Sequence, residues 1–281
     1  MNNGSSISAK PSGLRIKLPA RAENVAVVRH ALAGLAERIG MDEAGVADLK
    51  TVVTEACMNV VVHAYPSGSG PLEVAADPDS EGITLTVRDS GAGISPKADS
   101  DRESLKLGLS LIAALSSSFS ISGGLGRGTE VMMRLPLAGG GAGSNGSAGG
   151  EMAVESEGTE LTVGRTDLLE PVLASLVGAL AARRELSIDR VSDAVLVTDA
   201  IASAAPGRFA DGCVHLGLGE SDDGLELKLG PMEKGGAGEI RRELEVPAIG
   251  GSLEALADEL AVDESEDGDY LVVRFAGVPP A

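Results

Sequence analysis

From Ile83 to Val87 the chain alternates Ile, Thr, Leu, Thr, Val, the period of a strand with one face on a core. Shorter runs of the same kind predict strands at Leu14–Leu18, Leu72–Ala76, Phe119–Ser122 and Thr129–Leu135. Apolar residues recur at helical spacing from about Asn24 to Ile39, where Gly40 stops the run, from about Asp42 to Ala64, and from Gly108 to Leu115.

The same order of elements is legible again further along. Strands are predicted at Glu160–Val163, Val214–Leu218, Leu225–Leu229 and Tyr270–Phe275, with helices at Leu168–Arg184, Asp189–Ala205 and Ser252–Leu260. The letters agree in part: VVTEACMNV from Val52 aligns with LVTDAIASA from Leu196, and GITLTV from Gly82 with GLELKL from Gly224. This reads as an internal duplication. Between the halves, AGGGAGSNGSAGG has the composition of a flexible tether. The expected organisation is therefore a flexible N-terminus at 1–13, a first domain at 14–137, a Gly/Ser linker at 138–150 and a second domain at 151–281. In that alignment Asp199 and Ser203 stand opposite Glu55 and Asn59, and Pro231, Glu233 and Gly235 stand opposite Asp89, Gly91 and Gly93.

Composition narrows the class. Hydrophobic residues make up 43% of the 281, yet aromatics only 2%, so the cores must be aliphatic. No apolar run approaches the roughly 18 residues of a membrane span, and the N-terminal residues lack the apolar core of a secretory signal. Cys57 and Cys213 are too few for a disulfide framework, which predicts a cytoplasmic protein without a membrane segment. The net charge of −19 is uneven, with 13 basic against 15 acidic residues in 1–140 and 10 against 27 in 141–281. An acidic second half argues against direct nucleic-acid binding and leaves solubility or docking of a basic protein.

The chemistry concentrates in the first half. In TEACMNVVVHAY, Glu55, Asn59 and His63 fall four residues apart, which stacks a carboxylate, an amide and an imidazole on one helix face. The carboxylate can accept a proton, and the amide carbonyl can help hold a metal that carries phosphates. Asp89 arrives as the alternating strand ends, placed to accept a hydrogen bond from the amino group of a planar base. Gly91 and Gly93 let the backbone approach a ligand without Cβ interference. Gly108, Leu109 and Ser110 open a helix whose free N–H groups suit phosphate oxygens. The polar stretch before it, with Lys97, Arg102 and Lys106, reads as a lid. Thr129, after Gly128, sits at the mouth of a strand where its hydroxyl can bond the base or Asp89. Taken singly each of these is ordinary; D-S-G-A-G alone is a turn.

Together, in this order, they resemble the GHKL or Bergerat-type ATPases: an N box (Glu55, Asn59, His63), a G1 box (Asp89, Gly91, Gly93), a G2 box (Gly108) and a terminal Gly-Thr (Gly128, Thr129). The ending N-x-x-x-H-A-Y and the short lid are similar to the anti-sigma-factor serine/threonine kinases. The resemblance covers about Leu14 to Leu137. It implies an α+β fold, a two-layer α/β sandwich with a mixed, mainly antiparallel sheet and helices on one face, here duplicated in tandem. It also implies ATP and Mg2+ as cofactors, with Asn59 as the Mg2+ ligand, Asp89 reading adenine and Glu55 as general base. Gly91, Gly93, Lys106, Gly108, Leu109 and Thr129 complete the nucleotide site, and His63 packs beneath it. The implied partners are a sigma factor and an anti-anti-sigma (antagonist) protein, with the second half as a built-in protomer of an intramolecular pseudo-dimer, or a homodimer. Lys106 stands where such kinases usually have the first of two glycines, which leaves a nucleotide-sensing interaction protein without kinase activity as the alternative. A two-component sensor kinase fits poorly, because His30 lacks the acidic neighbour that a phospho-accepting histidine has.

Overall fold

A computed structural model describes residues 13–66, 68–93, 108–124, 126–137, 159–183, 186–209, 212–221, 224–245, 247–248 and 251–276. The first half runs β1 (Leu14–Pro19), α1 (Ala22–Arg38), α2 (Glu43–His63), β2 (Pro71–Pro78), β3 (Gly82–Asp89), α3 (108–115), β4 (Ser118–Gly123) and β5 (Thr129–Pro136). The second half runs β6 (Thr159–Val163), a 3-10 turn at Thr166–Leu168, α4 (Leu169–Arg183), α5 (Ile188–Ala204), β7 (Val214–Ser221), β8 (Gly224–Met232) and α6 (Gly236–Glu245). It closes with the two-residue pair β9 (Pro247–Ala248) and β10 (Gly251–Ser252), a 3-10 turn at Leu253–Leu256, β11 (Glu259–Ser265) and β12 (Gly268–Ala276).

The main sheet has ten strands in the order β11-β12-β8-β7-β6-β1-β2-β3-β5-β4, and its described pairs are antiparallel. Each half contributes five strands wound in the same internal order: β1-β2-β3-β5-β4 on one side and β6-β7-β8-β12-β11 on the other. Along β1, β2 and β3 alternate residues (Leu14, Ile16, Leu18; Leu72, Val74, Ala76; Ile83, Leu85, Val87) are buried, while Lys17, Glu73 and Thr84 on the opposite face are part-exposed. That pattern belongs to a sheet covered by helices on one face.

The halves share this sheet. β1 pairs with β6 in a register that sets Leu14 against Val163 and Ile16 against Leu161, and the Gly164 N–H extends it to the Gly13 carbonyl at 2.7 Å. Above the seam α1 packs on α4. Gly34 is the close-approach point: a Cβ there would lie 2.3 Å from the Pro171 carbonyl oxygen and 2.8 Å from Ser175 Oγ. Arg38 Nε also donates to the Asp167 carbonyl at 3.2 Å. The residues expected to form a tether, 138–150, lie outside the described residues.

The helix register corrects the letter alignment of the halves. The N-caps are Asp42, which accepts the Gly45 N–H at 2.8 Å, and Ser187, which accepts the Arg190 N–H at 3.3 Å. Counting from these caps pairs Leu49, Val52, Val53, Ala56, Cys57 and Val60 with Ala194, Val197, Thr198, Ile201, Ala202 and Ala205, every one of them buried. The letter alignment is one residue out of step and would set buried Val52 against Leu196, which is 52% exposed. Burial, rather than letter similarity, fixes which residues face the sheet.

Two further expectations change. The helix expected at Ser252–Leu260 is a single 3-10 turn followed by β11, because Glu259–Ser265 pairs along its whole length with β12. The pairing overrides a local helical period. A helix not expected, α6, forms over GAGEIRRELE and buries Ala237, Ile240 and Leu244 on one face. Its glycines gave the sequence the look of a loop.

Two outcomes test this architecture. Gly34→Leu forces α1 from α4 and is expected to lower stability by about 1–3 kcal/mol in urea unfolding, the range for overpacking a tight contact. Asp79 accepts from Arg134 at 2.8 Å, and that bond with the guanidinium, assisted by the Glu81 and Gly82 amides, holds its carboxyl at about 2, below its unfolded value of 3.8. A depressed carboxyl contributes stability above the unfolded value and loses it as pH falls through the folded one. With a half-exposed side chain the pair contributes under about 1 kcal/mol. Asp79→Asn should therefore be slightly destabilised at pH 7, and the difference should shrink as pH falls through about 2, by unfolding across that range.

Candidate functional site

The site is built where the C-terminal half of α2 meets the loop after β3. Glu55 and Asn59 are half-buried on one face of α2. Gly108, the first described residue of α3, stands directly over them: a Cβ there would be 2.8 Å from Glu55 Oε2 and 3.6 Å from both Asn59 Oδ1 and Nδ2. The carboxylate, the amide and the start of α3, which lie far apart in sequence, thus converge. Leu109 is half-buried and packs on the core, and His63 is half-buried in the last turn of α2. Lys97, Arg102 and Lys106 fall outside the described residues.

The loop at the end of β3 is pressed between two walls. On one side Gly91 meets α2, where a Cβ would lie 2.2 Å from the Ala64 carbonyl oxygen, and the Ala92 N–H donates to that oxygen at 2.9 Å. On the other side is the β4–β5 connection: a Cβ on Gly93 (φ 72°) would lie 2.0 Å from the Gly124 carbonyl oxygen, and one on Gly128 (φ 71°) 1.9 Å from the Asp89 carbonyl oxygen. The Gly126 N–H reaches the Ala92 carbonyl at 3.0 Å. Asp89 is 9% exposed and its Oδ1 accepts the Gly91 N–H at 2.8 Å. The β3–β5 register, with Arg88 opposite Glu130, carries Thr129 to the same end of the sheet as Asp89.

A residue the sequence reading gave no role also joins here. Tyr65 Oη donates to the Pro71 carbonyl at 2.6 Å and accepts the Ser90 N–H at 2.9 Å. Burial, and the Asp89 and Glu73 carboxylates, push its phenol above the ordinary tyrosine range, while the Ser90 amide pulls the other way.

One observation asks for a ligand. Asn59 Nδ2 is buried and has no hydrogen-bond partner among the described residues. Leaving such a group unpaired costs about 1–3 kcal/mol, and a phosphate oxygen would satisfy it. The donor set suits a nucleotide with a hard divalent cation: an amide oxygen on Asn59, a strand-end carboxylate and backbone brought close by glycines. No group of three or more His, Cys, Asp or Glu placed to hold a metal occurs among the described residues.

The corresponding place in the second half is filled differently. In the burial register Ala200 and Ala204 stand opposite Glu55 and Asn59, so neither a carboxylate nor an amide is present there. Asp199 sits one position away, its carboxyl raised by burial and by Glu170. Gly268 and Asp269 open β12, while Gly128 precedes Thr129, the first residue of β5, and Asp269, 5% exposed, accepts the Gly235 N–H at 2.5 Å. Helix α6 follows this loop and is tied to the end of α5 by Arg208, which pairs with Glu239 at 3.6 Å and with Glu243.

Gly91→Val places a branched side chain against the Ala64 carbonyl. It is expected to abolish nucleotide binding and to lower thermal stability, whereas Gly124→Ala, whose Cβ has nothing nearer than 4.0 Å, should leave the melting temperature unchanged; differential scanning fluorimetry with and without ATP reads both.

Comparison with known proteins agrees with this geometry. Residues 18–135 match the family of histidine kinase-like ATPase domains. The serine-protein kinases RsbW of Bacillus cereus (strain Q1), Bacillus thuringiensis subsp. konkukian (strain 97-27) and Bacillus mycoides (strain KBAB4) are each 35% identical over 78 residues, which is 28% of this chain and 49% of the relative. The chain therefore spans about half the length of the curated relatives it matches. Over these residues the first half is similar to histidine kinase-like ATPase domains and to the serine-protein kinases RsbW.

Proposed function

We propose that this GHKL-type ATPase domain binds ATP with Mg2+ and transfers the terminal phosphoryl group to a serine or threonine of a small antagonist protein, and that the chain sequesters a sigma factor. The observation that carries the reading is the convergence of Gly108 on Glu55 and Asn59. Phosphoryl transfer needs placement and charge neutralisation more than covalent help from the protein. Glu55 is the residue that would take the proton from the attacking hydroxyl. Asn59 would hold the cation through its amide oxygen, and Asp89 would accept from the amino group of adenine. A Mg2+ ion held there through Asn59 would supply charge neutralisation at the phosphates. Gly91, Gly93 and Gly128 let the backbone close around the base, with Thr129 beside it; Gly108, Leu109 and Lys106 are assigned to the phosphates. The second half serves as an intramolecular protomer, a role supported by the β1–β6 pairing and the α1–α4 contact. The domain limits proposed from the sequence, 14–137 and 151–281, describe these two units.

Incubation with labelled ATP and candidate antagonists tests the proposal. Glu55→Gln should lower transfer by about 10²–10⁴-fold, the usual worth of a positioned base, while ATP still binds. Asn59→Ala and Asp89→Ala should each weaken ATP binding in calorimetry. Binding without transfer by the wild type would favour a nucleotide-sensing protein without kinase activity. Unchanged binding in both of the last two variants would overturn the site.

A further inference from the structure

We propose that Tyr65 is a positioning residue for nucleotide recognition, its phenol holding the backbone of Ser90 so that the neighbouring Asp89 carboxylate keeps its orientation toward the base. This rests on the nucleotide reading given above.

The argument starts from where Tyr65 lies. It follows the C-cap of α2, Ala64, and its side chain leaves the helix for the loop. Its hydroxyl makes two bonds of opposite sense, donating to Pro71 at the start of β2 and accepting from Ser90 at the end of β3. The ring fills the space over Gly70, where a Cβ would come within 2.2 Å of Cε1. One side chain therefore ties the end of α2, the entry to β2 and the residue after Asp89. One bond is to the first residue of β2 and the other to the residue that follows β3. Both are to the chain segments that border the site.

Asp89 needs such support. Its Oδ1 is turned back onto the Gly91 amide, so the direction of the whole carboxylate depends on the peptide units at Ser90 and Gly91. The Ala92 bond to Ala64 fixes one end of this loop, and Tyr65 fixes the other. With the phenol oxygen gone, Ser90 has only solvent for its N–H and the loop gains freedom that binding must then remove. The phenol must be protonated to donate to Pro71. Burial and the charges of Asp89 and Glu73 keep it protonated well past neutral pH.

Tyr65→Phe keeps the ring and removes only the oxygen. The expected result is a rise of about tenfold in the Kd and KM for ATP, the equivalent of one lost hydrogen bond, with kcat changed less than about twofold and a melting temperature close to that of the parent. A purely structural role would shift the melting temperature and leave the KM against kcat split unmoved, and that result overturns the proposal. Amide hydrogen exchange of the wild-type protein without nucleotide provides a second reading that needs no variant. Ser90 should be protected at a level similar to Ala92; rapid exchange at Ser90 beside a protected Ala92 overturns the assignment. A wild-type chain that fails to bind ATP sinks the function proposed above. A wild-type chain that binds, with Tyr65→Phe binding equally well, sinks the role of Tyr65 alone.

Discussion

The position of everything in the site depends on one backbone hydrogen bond, from the Ala92 N–H to the Ala64 carbonyl at 2.9 Å. The last carbonyls of a helix have no intrahelical partner and must find a donor. Here the donor comes from the loop after β3, and only a residue without Cβ at position 91 lets that loop approach. Asp89 is thereby set near the end of α2, the helix that also carries Glu55 and Asn59. The second half makes a related link, with the Glu233 N–H donating at 2.9 Å to the carbonyl of Arg208, three residues past the C-cap of α5. In both halves a loop at the end of the third strand is thus tied by its backbone to the chain at or just beyond the end of the second helix.

The seam between the halves follows from a second constraint. β1 and β6 are short strands with apolar residues facing the core, and each would be an open edge in an isolated half. Pairing them satisfies both edges and brings α1 over α4, where Gly34 allows contact with the Pro171 backbone. The remaining edges are β4 and β11. β11 carries Glu259, Asp263 and Glu264, charges of the kind that discourage further strand addition. β4 is uncharged, and its Ile121 is 39% exposed.

Much of the first half was legible in the sequence because its strands alternate and its helices end at clear signals. Glu55, Asn59, Asp89, Gly91, Gly93 and Gly108 are candidates the spacing offers; the fold sets Gly108 over Glu55 and Asn59, and the loop from Asp89 to Gly93 against the end of the same helix. Tyr65 was missed because its partners, Pro71 O and Ser90 N, are backbone atoms, which leave no mark on side-chain patterns. In the second half α6 was hidden by its glycines and β11 by a local helical period that pairing with β12 overrides. The one-residue error in matching α5 to α2 has the same root. Letter similarity weighs Thr198 against Thr54, while the core weighs it against Val53, since Thr198 is 1% exposed and returns its hydroxyl to the Ala194 carbonyl at 2.9 Å.

That register changes what the second half means. Had Asp199 replaced Glu55, the half would keep an acid at the reacting position, and loss of function would rest on its shorter reach. With Ala200 and Ala204 there, the two polar groups are gone, and Asp269 spends its carboxylate on the Gly235 amide within the loop. The acids that make this half so negative lie elsewhere, and four of them are committed to cross-element pairs: Glu226 and Glu259 with Arg274, Asp263 with Lys228, Asp258 with Arg190. Pairs of this exposed kind contribute little stability singly. Their field is screened over about 8–10 Å at physiological salt, so an acidic second half is compatible with a polyanionic nucleotide in the first. The division of labour follows: beside Glu55 and Gly108 the first half holds a buried amide nitrogen, Asn59 Nδ2, with no partner among the described residues, and the matching positions of the second half carry only alanine.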